Sequence, residues 1–260
     1  MLFFGISFLL VVGFFSFLLI NPPVGYKPQG FVERRSRSSV GRDSRDRIID
    51  EDLSPGEILR TAEFWRIWLL YFIGAGAGLM VIGNVAGMAK SSLGTNAFLA
   101  VAILAVGNAA GRVVAGMMAD KIGRSRTLAT IFGLQALFMF GAVSIFGAKS
   151  PNAFLLVTLA TVIGFNYGAN LALFPTITKD LWGMKHFGLN YGILFTAWGV
   201  GGFVMSKVSQ MLLATTGSFS SAFWASGVLL LTGVGVIVIV PDQKEKMRRE
   251  IARKLAVGAV

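Results

Sequence analysis

The stretch that decides the fold is residues 111–126, GRVVAGMMADKIGRSR. Its cation Arg112 belongs to a run, 96–119, that is otherwise uncharged. Asp120 comes eight residues later, and a basic cluster follows it directly: Lys121, Arg124 and Arg126. A long uncharged run that ends in a charged cluster is typical of a helix that meets a membrane surface.

The composition places the chain among membrane proteins. Of its 260 residues, 54% are hydrophobic and 14% are charged, whereas soluble domains carry about a quarter charged residues. A bilayer-spanning helix needs about 20 apolar residues. Seven runs meet this condition: 2–20, 64–88, 96–119, 126–147, 152–178, 187–213 and 219–240. We therefore predict an all-α membrane protein with seven transmembrane helices.

The first run, 2–20, is interpreted as a membrane span and not as a signal peptide. It has no positive start, it is too long for the apolar part of a signal, and it ends in NPP without a small-residue cleavage site. Residues 1–20 are therefore predicted to form the first transmembrane helix.

Few residues could support enzyme chemistry. The chain has no cysteine and a single histidine, His186, which lies in a predicted loop. No catalytic pair, metal-ligand cluster or phosphate loop is visible. We expect a protein that is not an enzyme and that uses neither a metal nor a cofactor.

The positive charges indicate how the chain lies in the membrane. Twenty of its 24 Lys and Arg residues fall in four segments that alternate topology places on one side: 21–66, 120–126, 179–186 and 241–260. Cytoplasmic loops carry such an excess. We expect the cell membrane, the N-terminus outside and the C-terminus inside. The net charge of +11 is then explained by basic residues that face anionic lipid headgroups. It does not indicate nucleic-acid binding, because that would need a folded basic surface.

The runs divide the chain into four parts. Residues 21–63 form a polar cytoplasmic central loop, partly disordered, with a short interfacial helix near 55–63 that Ser54, Pro55 and Glu57 predict. Residues 64–240 hold six helices, and 241–260 form a basic cytoplasmic tail. The pattern of that tail is consistent with a helix that lies on the cytoplasmic leaflet of the membrane or with a solvated, positively charged anchor.

Small residues spaced by four mark one stripe of the 96–119 helix: Gly107, Gly111, Ala115 and Ala119. Such stripes let helix backbones approach closely in lipid, where packing drives association. Close helix contacts are expected there, without any implication for function.

The turn 116–126, GMMADKIGRSR, resembles the signature cytoplasmic turn of the major facilitator superfamily. In this interpretation Gly116 allows a close helix crossing, Asp120 ends one helix and Gly123 permits the reversal. The basic residues Lys121, Arg124 and Arg126 hold the turn on the inner face. The resemblance implies that the last six helices form one six-helix half of a transporter, preceded by the sixth helix and the central loop. The expected partner is then a missing N-terminal half.

Longer segments resemble the oxalate/formate antiporter family. They are NPPVGYKP, LRTAEFWRIWLLYF, GNAAGR, NYGANLALFPTITKDLWG and FGLNYGILFTAWGVGG. This resemblance implies transport of small carboxylate anions, of the oxalate/formate or monocarboxylate type, by alternating access. No Asp or Glu falls inside any of the seven runs, which favours anion exchange or facilitated diffusion over proton coupling.

Arg112 is the main candidate for substrate binding. It precedes the turn by eight residues, about 12 Å along a helix. A charged residue at that depth in the membrane is costly, so a functional role is the first hypothesis for it. Asn108 lies one turn away on the same face. In the family that this chain resembles, the arginine at the matching place contacts the substrate carboxylate. The alternatives are an arginine that reaches to the inner face or one that pairs with Asp120.

The second cation of the oxalate pattern is replaced here by Trp198, within FTAWGVGG. With one cation a dicarboxylate would be under-neutralised, so formate, lactate or pyruvate become at least as plausible as substrates. Four further polar residues at membrane depth line the cavity or bond between helices: Asn166, Tyr167, Asn170 and Tyr191. The competing functional interpretation is a non-transporting seven-helix membrane protein, receptor-like or a scaffold.

Overall fold

The computed structural model describes residues 2–18, 52–147 and 152–239. The chain divides into two compact units, Met1–Asp43 and Ser44–Val260, which are taken separately below. Most of the predicted central loop, residues 148–151 and the whole 241–260 tail lie outside the described residues.

In the first unit, the initial apolar run forms helix α1, Leu2–Ser16. It has 15 residues, about 22 Å of helix, and ends before the predicted boundary at residue 20. It is thus a shorter apolar helix than the six that follow.

The second unit is built entirely from helices over its described residues. The first is the four-residue helix α2, Pro55–Ile58. Six long helices follow: α3, Ala62–Leu93; α4, Ala97–Ile122; α5, Arg124–Gly147; α6, Ala153–Trp182; α7, Phe187–Thr216; α8, Ser220–Ile239. The 3-10 turn Gly94–Asn96 joins α3 to α4. All six long helices are apolar enough to cross a membrane. The predicted all-helical membrane class is confirmed.

The six long helices pack as three main pairs, α4 with α6, α3 with α7 and α5 with α8. The pairs differ in burial. Within their spans α3 and α6 are 61% and 56% buried, whereas α4 and α7 are only 22% and 28% buried. Helices α3 and α6 therefore form the centre of the unit, and α4 and α7 flank it with much of their surface exposed.

Close backbone contact at the α4–α6 crossing sets the rotation of α4. A Cβ atom added at Gly111 would meet the carbonyl oxygen of Phe165, and one at Gly168 would meet the carbonyl oxygen of Asn108. Gly107 and Gly164 make the same kind of contact in the neighbouring turns. The expected role of the small-residue stripe in close packing holds here, since no larger residue fits between the two backbones.

The end of the central loop is fastened to the α6–α7 turn. The Asp52 carboxylate accepts hydrogen bonds from the backbone N–H groups of Met184 at 2.7 Å and Lys185 at 2.9 Å. The Asn190 side-chain amide donates to the carbonyl of Leu53 at 2.8 Å. Because these N–H groups favour the charged carboxylate, that of Lys185 above all, the pKa of Asp52 lies below its ordinary value.

The Asp52 contact predicts a pH-dependent stability. A carboxyl whose pKa is lowered by folding stabilises the folded state above its ordinary pKa of about 3.9 and loses that contribution as the pH falls through the lowered value. We expect the unfolding temperature of the wild type to fall more between pH 7 and pH 3 than that of the Asp52→Asn variant. The Asn oxygen still accepts both N–H bonds but carries no charge. Equal pH profiles for the two proteins, by thermal unfolding, would contradict this.

Candidate functional site

Arg112 lies on the exposed side of α4, next to the close-packed Gly111. Successive helical residues point about 100° apart, so the crossing that turns Gly111 towards α6 turns Arg112 out of the contact. Its Nε–H donates to the Asn108 side-chain oxygen at 3.2 Å. Among the described residues Arg112 has no further hydrogen bond, so both terminal amino groups of its guanidinium are unoccupied.

This arrangement suits a carboxylate. With Nε held by Asn108, the remaining forked edge of the guanidinium presents two parallel N–H groups, the geometry that a carboxylate accepts. The alternative pairing of Arg112 with Asp120 is wrong, because the Asp120 carboxylate pairs with Arg124 at 2.8 Å.

Tyr167 of α6 and Trp198 of α7 are joined by a hydrogen bond. The Trp198 indole Nε1–H donates to the Tyr167 hydroxyl oxygen at 2.8 Å. The Tyr167 ring packs against Gly78 of α3, and the indole stacks on Phe195 with ring centroids 5.1 Å apart. The pair thus forms a firmly held aromatic wall that spans three helices.

The wall adjoins the α4–α6 crossing. Tyr167 precedes Gly168, whose backbone lies against the carbonyl of Asn108. The predicted site residues thus form two hydrogen-bonded pairs on helices that pack against α6: Asn108 with Arg112 on α4, and Tyr167 of α6 with Trp198 of α7.

Asn166 and Asn170 do not join this group. Both are fully buried, and the Asn170 amide donates to the Asn166 carbonyl at 3.1 Å. The Asn170 side-chain oxygen lies beside Gly74 of α3. On a helix these two positions point towards one side and Tyr167 towards another, so the two asparagines face the core. A direct part for them in substrate binding stays only a prediction.

Tyr191 is linked to Trp198 through Phe195, whose ring centroid lies 5.6 Å from that of Tyr191 and 5.1 Å from that of Trp198. Its hydroxyl lies 3.3 Å from the hydroxyl of Tyr71, a residue that sequence reasoning missed. The Tyr71 ring stacks on Phe174 at a centroid distance of 3.9 Å, and Phe187 stacks on Tyr191 at 5.8 Å. The spacing of Phe187, Tyr191 and Phe195 by four was the sequence signal that could have revealed this cluster.

The other cation of α7, Lys207, does not complete the site. It is exposed, and its Nζ lies 5.9 Å from the centroid of the Phe203 ring on its own helix. The Lys207 side chain therefore contacts its own helix.

The signature turn is a charge-linked reversal. Arg124 pairs with Asp120 of α4 at 2.8 Å and with Asp180 of α6 at 3.3 Å, while Lys121 and Arg126 are exposed. Asp180 was missed by sequence reasoning, since it lies far from the motif along the chain. The turn therefore ties together the ends of three helices.

Two details of the turn differ from expectation. Helix α4 continues through Ile122 and is ended by Gly123, so Asp120 lies within the last turn and does not end the helix. At Gly116 no described atom lies within 4 Å of the position that a Cβ would take. The predicted close crossing at Gly116 is wrong; that contact occurs one turn earlier, at Gly111.

Gly123 has a φ of +91°, a backbone conformation that side chains with a Cβ rarely adopt. We expect Gly123→Ala to lower the free energy of unfolding by about 1–3 kcal/mol. The matched change Gly116→Ala in the same helix has room for the methyl group and should be neutral or stabilising by up to about 1 kcal/mol. Unfolding monitored by circular dichroism in detergent would compare them. Equal effects of the two substitutions would show that the reversal tolerates a Cβ.

No group of three or more His, Asp and Glu side chains that could hold a metal ion occurs within residues 2–18, 52–147 and 152–239. Chemically, the assembled residues offer one guanidinium, one phenol and an aromatic surface. Such a set can bind an anion.

Comparison with known proteins agrees with this chemistry. The family model described as Major Facilitator Superfamily matches residues 1–206 and, in a second alignment, 84–258. The chain is 31% identical over 159 residues to the oxalate:formate antiporter of Oxalobacter formigenes, which covers 58% of the chain and 36% of that protein.

Two further relatives match over similar lengths. The uncharacterized MFS-type transporter YhjX of Escherichia coli is 27% identical, covering 59% of the chain and 38% of its own length. Monocarboxylate transporter 11 of Homo sapiens is 28% identical, covering 57% of the chain and 32% of its own length. The chain thus spans about a third of the length of the curated relatives that it matches.

Proposed function

This chain belongs to the Major Facilitator Superfamily, and from that premise we propose that it serves in the transport of small carboxylate anions across a lipid bilayer. The observation that carries the proposal is the free forked edge of Arg112, oriented by Asn108. A cation in a membrane span is costly unless it meets water, protein or a ligand. A carboxylate supplies both the opposite charge and two matching acceptors.

We further propose that transport proceeds by alternating access and needs a second helical body, an N-terminal half. Two observations support this. The relatives named above are about three times as long as their matched portions. Helices α4 and α7, which carry Arg112 and Trp198, are also the least buried of the six spans. A second body against this side would enclose the site between two halves.

For the substrate we propose a monocarboxylate such as formate, lactate or pyruvate, with oxalate as the alternative. One guanidinium balances one negative charge, and Trp198 adds an apolar wall where a second cation would be needed for a dianion. The relatives include proteins named for oxalate:formate exchange and for monocarboxylate transport, so both kinds of anion fit the family. The absence of Asp and Glu from the predicted runs supports exchange or facilitated diffusion.

We propose the cell membrane as the location, with the C-terminus in the cytoplasm. In support, the α4–α5 and α6–α7 turns lie at one end of the unit, joined by the Arg124–Asp180 ion pair. These turns carry basic residues: Lys121, Arg124, Arg126, Lys179 and Lys185. Such a concentration marks the cytoplasmic side.

The test is exchange of labelled anions by proteoliposomes that contain the protein expressed from its full reading frame. We expect external formate, lactate or pyruvate to drive exchange of the labelled form, and external acetamide, a neutral analogue of a carboxylate, to have no effect. A protein that exchanges none of these anions, nor oxalate, would refute the proposed function and favour a non-transporting membrane protein.

A further inference from the structure

The last part of the central loop crosses the end of the bundle at which α6 turns into α7. We call residues 52–58 the clamp segment. Its first two residues bond to the α6–α7 turn and to Asn190 of α7, and the Leu53 N–H also donates to the carbonyl of Trp182 at 3.2 Å. Its last residue, Ile58, is fully buried in the core. Because α3 follows closely along the chain, the clamp segment ties the joined ends of α6 and α7 to the start of α3.

Two buried polar groups beside this contact have no partner. The Trp182 indole Nε1–H and the Asn190 side-chain oxygen make no hydrogen bond among the described residues, although Trp182 is 1% and Asn190 0% exposed. Leaving a buried polar group unpaired costs at least as much free energy as a typical hydrogen bond contributes. Both residues lie at a helix end, one in the last turn of α6 and one in the first turn of α7, where water can reach them once the segment lifts. The docked contact therefore carries a cost that its release would relieve.

Gly183 leaves room for the docked carboxylate. Its φ is +78°, and a Cβ atom at this position would meet the side chain of Asp52. Gly217, at the end of α7, has a similar φ of +72°, but no described atom lies within 4 Å of its Cβ position. Alanine would strain the backbone at both positions and would block docking only at Gly183. The two glycines thus separate the effect of docking from that of backbone conformation.

We propose that residues 52–58 form a releasable clamp on the joined ends of α6 and α7, and that transport requires the clamp to release. The second part rests on the proposed function. While the segment is docked, it holds the ends of α6 and α7 in place relative to α3, whereas alternating access rearranges helix ends between its two states. The bonds of Asp52 are exposed to solvent, and bonds of this kind open locally at low cost. The end of the central loop is then a moving part and not only a connection.

Release is measured by hydrogen–deuterium exchange of backbone amides in the protein expressed from its full reading frame, held in lipid nanodiscs. The amides that report on the clamp are those of Leu53, Met184 and Lys185. The reference is the amide of Gly123, which bonds to the carbonyl of Ala119 in the α4–α5 turn. That turn lies at the same end of the unit, joined by the Arg124–Asp180 ion pair. We expect the clamp amides to exchange about tenfold faster than the reference or more, through local opening without unfolding of the bundle.

The glycine variants test whether docking of Asp52 is what protects these amides. Gly183→Ala displaces the carboxylate, so exchange at Met184 and Lys185 should become faster by about tenfold, as for the loss of a hydrogen bond to a charged group. Gly217→Ala should leave it within about a factor of two, since its strain lies at the other end of α7. Equal effects of the two variants would overturn the part assigned to Asp52. Thermal unfolding of each variant in the same nanodiscs identifies a global loss of stability.

The part of the clamp in transport is tested by locking it. The sequence contains no cysteine, so Leu53→Cys and Asn190→Cys together introduce one pair that a short, cleavable thiol cross-linker can join. We expect the cross-linked protein to bind labelled formate but to transport it at least tenfold more slowly in proteoliposomes, and to recover when the linker is cleaved. The double variant without linker and each single variant treated with linker are the controls. Unchanged transport by the locked protein would overturn the requirement for release.

The outcomes separate this inference from the proposed function. If the clamp amides exchange as slowly as that of Gly123 while the wild type transports formate, the segment is a fixed part of the fold, and the inference is wrong although the proposed function stands. If the wild type transports no carboxylate, the proposed function fails and takes the requirement for release with it. The amide measurements need no substrate, so they still decide in that case whether residues 52–58 dock and release.

Discussion

The variant Arg112→Lys is expected to lose carboxylate exchange by between tenfold and a hundredfold. Lysine keeps the positive charge but presents a single compact group, so it cannot bind Asn108 and offer a two-point fork at once. The loss of one charge-assisted hydrogen bond corresponds to about 1.5–3 kcal/mol. The measurement is exchange of labelled formate in proteoliposomes, with the KM determined for each variant.

The control for this prediction is Lys207→Gln. It removes the charge of another cation in a membrane helix, one that contacts Phe203 and not the proposed site. We expect exchange within a factor of two of the wild type. If Arg112→Lys kept its KM and rate, the fork would have no part in binding, and the carboxylate proposal would lose its physical basis.

The variant Gly111→Ala is expected to have the largest effect on stability, a loss of about 3 kcal/mol or more. The added methyl group would clash with the carbonyl oxygen of Phe165. The backbones are also in close contact at the facing Gly168, so the clash can be relieved only by moving the two helices apart. Separation of α4 from α6 would also move Arg112 away from Tyr167. Thermal unfolding in detergent, followed by circular dichroism, measures the change.

Gly133→Ala in α5 is the control for this second prediction. It is the same chemical change inside a helix, with no described atom within 4 Å of the new methyl group. Because alanine is the better helix former, we expect a gain of up to about 1 kcal/mol. The two glycine substitutions should therefore act in opposite directions. A Gly111→Ala protein as stable as the wild type would show that the α4–α6 crossing is looser than its backbone contacts indicate.

Much of the architecture follows from local patterns. Each of the last six predicted runs corresponds to one of the helices α3–α8, with ends that differ by five residues or fewer. This agreement has a simple cause. In a bilayer every span must satisfy its own backbone hydrogen bonds within a helix, so the length of an apolar run alone indicates a helix. The Gly123 reversal is equally local, because its φ requires glycine.

The candidate site was only partly predictable. Arg112 and Asn108 lie one turn apart on the same helix, so their spacing alone indicates contact. Tyr167, Asn166 and Asn170 are polar residues of the same run, and the run contains nothing that says which of them faces the core. Asp52 and Asp180 bond to groups far away along the chain, and no local spacing indicates such partners.

By itself, the order of residues determined the membrane class, the number and approximate ends of the long helices, the reversal at Gly123 and the presence of one charge at depth. These features depend on interactions within a single segment and on the bilayer that surrounds it. Only the tertiary structure decided the rotation of each helix about its axis. That rotation is set where backbones touch, as at Gly111 and Gly168, and a change of about 100° moves a side chain to its neighbour's place. For that reason Tyr167 bonds to Trp198 and Arg112 is exposed, while the two asparagines in the same helix as Tyr167 are enclosed in the core.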